Sequence, residues 1–201
     1  MLRQKIKIDN NSVVFLFING PHHTHHLILP ALNFAQNYTQ YQTVLISGSD
    51  NNTNIIKQTL HKMGNPKCKI IKLPKPLRYY IKNYRNKIIP PPFSQWKFID
   101  KSIHYSKAII STSHQTPEFL IKDRNHDQKL FYLYHGVGTR SYGFEDSLNE
   151  YDFIFVPGEY HYNRLQADLS INKNKLSIVG HPKFEWQDVM NNNIKSFFNN
   201  N

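Results

Sequence analysis

"VVFLFINGP", residues 13–21, decides how this chain folds. Val13 to Ile18 contains no polar residue, and Gly20-Pro21 stops the run shortly after it. A strand with one wet face alternates apolar and polar side chains, whereas an unbroken apolar run of this length fits a strand buried on both faces. Similar runs follow at Thr43 to Ser47, Lys69 to Leu73, Ala108 to Ser111, Leu130 to Tyr134, Phe153 to Val156 and Leu176 to Val179.

Helical spacing fills the gaps. Leu27, Ala31, Phe34, Ala35 and Tyr38 form a stripe after the first run, and Pro30 fits such a helix only in its first turn. Ile55, Ile56, Thr59, Leu60 and Met63 repeat the pattern, with Gly64 where a left-handed cap belongs. Thr116-Pro117 reads as an N-cap followed by a first-turn proline, opening a short helix through Ile121. Tyr162, Leu165 and Leu169 form one more stripe. Strands alternating with helices mean parallel βαβ units, so the expected fold is α/β: a Rossmann-like open parallel sheet with helices on both faces. The basic, tyrosine-containing segment from Arg78 to Lys87 and the Pro90-Pro91-Pro92 run interrupt the rhythm as a surface excursion. Helical character returns around Trp96, Phe98, Ile99 and Ile103, and the asparagine-rich end from Asn191 carries a Phe197-Phe198 pair.

A chain of 201 residues can bury a core without disulfides or metals. Its one cysteine, Cys68, excludes an internal disulfide and every multi-cysteine zinc pattern, which favours a reducing compartment, the cytoplasm. Val13 to Ile18 is too short for a signal-peptide core, and no stretch approaches the roughly 18 apolar residues of a spanning helix, so a soluble or peripheral protein is expected. The formal charge of +11 suits a polyanionic partner, although A/T-rich coding also produces such a mixture of Asn, Ile, Tyr, Phe and Lys. No block of five or six basic residues occurs, and aromatics and cations interleave in no recognised module, so nucleic acid is not expected as a partner.

In open α/β sheets ligands bind at the carboxyl ends of the strands. Four stretches fall there. "NGPHHTHHLILP", residues 19–30, reads as a loop with four histidines: a metal site, a wall contacting substrate with one imidazole poised for acid/base work, or a solvated turn. "YLYHGVGTRSYGFED", residues 132–146, places His135 at a strand end, with Gly136, Gly138 and Gly143 permitting close backbone approach. His135 suits proton transfer near neutral pH and Arg140 suits a phosphate, unless this is a core histidine beside an ordinary turn. "VPGEYHYNRL", residues 156–165, is a strand, a turn and a helix start, where Glu159 argues against a bare anion site. In "IVGHPKFE", residues 178–185, Gly180 and Pro182 bend the chain away from the sheet at a domain edge or hinge.

"YHGVGTRSYGF", "YDFIFVPGEYHYNRL" and "LSIVGHPKFE", in that order, resemble the CDP-glycerol glycerophosphotransferase family of teichoic-acid-type enzymes, with its two-domain GT-B fold. The likeness covers about residues 129–185; residues 13–128 agree only as a generic GT-B amino-terminal domain. It implies an amino-terminal, acceptor-side domain over 1–182 and an interdomain crossing or truncated tail over 183–201, with the donor-binding carboxyl-terminal domain or a partner chain missing. It further implies transfer of glycerol phosphate from a CDP-glycerol-like donor to a glycan or poly(glycerol phosphate) hydroxyl, without cofactor or metal. His135 would be the catalytic base, and Gly136, Arg140, His22, His25 and Gly20 would meet substrate. A membrane face carrying a lipid-linked acceptor would suit the segment from Arg78 to Lys87. The alternatives are a UDP-sugar glycosyltransferase or epimerase of the same fold, and a non-catalytic module binding an anionic glycan or lipid head group.

Overall fold

The computed structural model describes residues 8–74, 92–99, 101–120, 124–136 and 143–191. Among these, seven parallel strands form one sheet: β1 (Ser12–Phe17), β2 (Gln42–Ser47), β3 (Lys69–Lys72), β4 (Ala108–Ser111), β5 (Lys129–Leu133), β6 (Phe153–Val156) and β7 (Leu176–Ile178). Their order is β3-β2-β1-β4-β5-β6-β7. Each apolar run of the sequence is a strand, with ends moved by two residues at most. The fold is an α/β Rossmann-like sheet. The segment from Arg78 to Lys87, Pro90, Pro91, Ile121, Gly138, Arg140 and the Phe197-Phe198 pair lie outside the described residues.

β1 lies inside the sheet, between β2 and β4, and is buried along its whole length. Val14, Leu16 and Ile18 join Ile109, Tyr132, Ile154 and Leu165 on one face; Val13, Phe15 and Phe17 join Leu27, Ala31, Leu45 and Ile56 on the other. At about 1.5–3 kcal/mol for each large apolar side chain removed from water, this strand anchors both cores. Helices α1 (Pro21–Asn37), α2 (Asp50–Lys62) and, much later, α6 (Pro182–Met190) cover the second face. The first face carries α4 (Thr116–Leu120) and α5 (Glu159–Leu169), while α3 (Pro92–Trp96) and a 3-10 turn at Lys101–Tyr105 lie between β3 and β4 in the chain.

Gly64 closes α2 as its position suggests. Its φ of +76° is left-handed, its amide donates to the His61 carbonyl, and the Asn65 amide donates back to the Leu60 carbonyl. Thr116 begins α4, but its hydroxyl pairs with Ser111 Oγ at 2.8 Å across the strand-to-helix turn.

α1 departs from expectation. It starts at Pro21, so the four histidines occupy its opening turns instead of a loop, and Pro30 lies in its interior instead of its first turn. Pro21 accounts for the early start, since a proline at the first helical position brings a fitting φ and forfeits no bonded amide. Pro30 supplies no amide hydrogen for the His26 carbonyl, an interior defect of about 3 kcal/mol. Burial of Leu27, Ile28, Leu29, Ala31 and Leu32 on the same turns offsets it.

Candidate active site

The strand order reverses between β1, which leads to β2 and β3, and β4, which leads to β5, β6 and β7. The crevice outside the carboxyl ends of these strands is where such sheets hold ligands. Asn19 lies two residues past β1, Thr112 directly follows β4, and His135 lies two residues past β5. The first turns of α1 stand over the same place, so chain topology delivers an imidazole cluster there.

His23 and His135 are the centre of it. Their ring centroids are 3.8 Å apart with 35° between planes. Nδ1 of His23 meets the Thr112 hydroxyl at 3.2 Å and the Asn19 side-chain amide at 3.5 Å, and that amide also reaches Thr112 Oγ1 at 3.4 Å. His22, exposed at the lip, lies 4.3 Å from His23 and 6.4 Å from His135 between ring centroids. Deeper along α1, buried His26 meets His181 edge-on at 4.6 Å. His25 stacks on Trp186 of α6 at 3.9 Å.

Burial dominates the electrostatics. It pushes His23 down to about 2, His26 to about 3 and His135 to about 4. On His135 the neighbouring His22 and His114 add to the effect, while a hydrogen bond with the Thr112 backbone opposes it. His22, His25 and His181 are lowered by burial first and then by the Lys183 ammonium. The Lys183 ammonium thus acts on His22, His25, His26 and His181, whereas the groups acting on His23 and His135 are other imidazoles. Imidazoles kept neutral at pH 7 can accept a proton from a bound hydroxyl, and the Lys183 ammonium beside His22 and His26 suits an anion. Among the described residues no group of three or more His, Cys, Asp or Glu is arranged to hold a metal ion.

Of the residues expected at the site, His135 and His22 lie together and His25 is engaged by Trp186. Gly20 precedes α1 against the His22 ring, where a methyl group would lie 2.8 Å from Cε1. Gly136 faces open space. Sequence reasoning counted His23 and His26 among the four histidines of residues 19–30 without giving either a role of its own, and assigned none to His181, Thr112 or Trp186. The missed signal is periodic: positions 22, 23, 25 and 26 are helical neighbours once Pro21 is taken as a helix start.

No protein-family model and no curated sequence matches the chain. Among solved structures, the wall teichoic acid polymerase TagF is similar over 93% of this chain, with 14% identity and a TM-score of 0.49. A variant of TagF soaked with CDPG is similar over 88%, with 12% identity and a TM-score of 0.47. At that identity the likeness concerns the fold alone. The chain spans 40% and 42% of the length of these two polymerase chains. No helix among the described residues is long and apolar enough to cross a membrane.

Proposed function

We propose that this chain is the acceptor-side half of a transferase of the CDP-glycerol glycerophosphotransferase type. The observation that carries the proposal is His135, an imidazole held below its ordinary value two residues past β5, in the switch crevice and against the ring of His23. The three sequence motifs over residues 129–185 support the same family.

In this reading the acceptor hydroxyl gives its proton to His135 as its oxygen attacks the phosphorus that carries glycerol. The bond from that phosphorus to the bridging oxygen breaks, CMP leaves, and a new phosphodiester remains on the acceptor. Such transfer depends on positioning and charge neutralisation more than on covalent help. A phosphate entering beside His135 would also raise its proton affinity from the low resting value toward neutrality. Arg140 and Gly136 would serve the phosphate, His22 and Gly20 the facing wall. A glycan or poly(glycerol phosphate) chain is the acceptor class, and a second domain would bring the donor nucleotide.

The test is CMP release from CDP-glycerol with a poly(glycerol phosphate) acceptor. It is run on the purified chain alone and with the carboxyl-terminal half of a teichoic acid polymerase added in trans. Release is expected in at least one arrangement and should fall by about 10²–10⁴ in His135→Gln. No release in either, or an unchanged rate in the variant, overturns the proposal.

A further inference from the structure

We propose that His23 is the positioning residue of His135, clamped by Thr112 and Asn19 so that its ring backs the His135 imidazole. This rests on the reading of His135 as the base.

The clamp is built on the sheet itself. Thr112 is 1% exposed and follows β4 directly, and Asn19 follows β1. The Asn19 amide donates to both Thr112 Oγ1 and His23 Nδ1, and the Thr112 hydroxyl also meets that nitrogen. Nδ1 of His23 is thereby an acceptor, and the ring's proton sits on Nε2. Helix α1 fixes one end of the residue and two strand ends fix the other. At 3.8 Å and 35°, the pinned ring covers a face of His135, whose own Nδ1 has no partner among the described residues to orient it. Ring contact adds to the hydrogen bond with the Thr112 backbone in orienting His135.

The pair also divides labour. His22 and His114 face His135; His135, His22 and His26 face His23; Lys183 acts on His22 and His26 from α6. A proton entering the site goes to the less deeply held ring. His23 is the more strongly disfavoured, by burial first and then by the neighbouring His135, His22 and His26. It stays neutral and leaves proton exchange to His135.

The experiment reads His135 directly. In protein labelled with ¹⁵N in the imidazoles, its titration midpoint is followed by NMR, and its acylation by diethyl pyrocarbonate by mass spectrometry. His23→Ala opens the covered face to water and should raise the midpoint by about 1 unit and speed acylation severalfold. His23→Phe keeps a ring there and should hold the midpoint near the wild-type value. Thr112→Val loosens the clamp without opening a cavity and should raise the acylation rate about threefold. It carries the test if His23→Ala does not fold. Unchanged midpoint and acylation in His23→Ala, or unchanged acylation in Thr112→Val, overturns the role. These signals do not need turnover. If they shift while CMP release is absent, the transferase reading falls and the pair stands; if release is present and they do not shift, the reverse holds.

Discussion

The indole of Trp186 lies flat on the His25 imidazole, 3.9 Å between centroids and 18° between planes, while its Nε1 donates to Thr59 Oγ1 at 2.9 Å. One side chain of α6 thus ties together α1 and α2, the two helices over the centre of the sheet. Trp186→Ala should destabilise the protein by about 2–3 kcal/mol, less than a fully buried tryptophan because the site is half-exposed. Hydrogen exchange should show the loss concentrated in α6, and uniform loss across the sheet would contradict this account.

The imidazole cluster makes the fold sensitive to acid. His23, His26 and His135 have folded values of about 2, 3 and 4, against about 6.5 when the chain is unfolded. Between those limits the unfolded chain binds more protons, so stability falls as pH drops below about 6.5, the His135 part being complete near 4, the His26 part near 3 and the His23 part near 2. Above 6.5 the three groups leave stability independent of pH. Thermal melts from pH 7.5 to 4.5 should show this decline, and His26→Leu should make it shallower. A melting temperature that rises on acidification would refute the assignment.

Tyr151 connects core to site. Its ring is 1% exposed, and its hydroxyl donates to the Ser113 carbonyl at 2.6 Å, immediately after Thr112. Tyr151→Phe removes the shorter of two bonds to that carbonyl and leaves it the Thr116 amide at 3.2 Å, a loss of about 1 kcal/mol in urea denaturation. The imidazole resonances of His23 should also move, because the loop holding Thr112 has lost its tether. Intact His23 resonances would show the tether to be local.

Gly48 follows β2 where the chain has no room for a side chain, since a methyl group there would collide with the end of Gln95. Gln95 is 1% exposed and donates to the Ile18 carbonyl at 2.7 Å. Gly48→Ala should break that bond and destabilise the fold by about 1–2 kcal/mol. A crystal structure of the variant would show whether Gln95 is displaced.

The sheet was legible because buried parallel strands announce themselves as apolar runs, and Gly64 because few residues accept its φ of +76°. The histidines were not, since polar residues before a hydrophobic stripe look like a loop until Pro21 is recognised as a helix start. Pro30 misled in the same direction, its local penalty overridden by the apolar face around it. The docking of α6 depends on Trp186 meeting residues more than a hundred positions away, and periodicity says nothing about such pairs. His135 stood out from its strand-end position, whereas His23 gained meaning only when topology laid β1 beside β4.

The margins of the sheet bear on how the protein behaves at high concentration. β3 offers four residues with Lys69 and Lys72 at its ends, and β7 offers three before Gly180 turns the backbone away with a φ of +75°. Among the described residues neither border presents a long uncharged row of amides and carbonyls on which another copy could extend the ladder. The described strands thus keep the apolar run from Val13 to Phe17 inside the sheet, away from the two borders on which a neighbour could continue it.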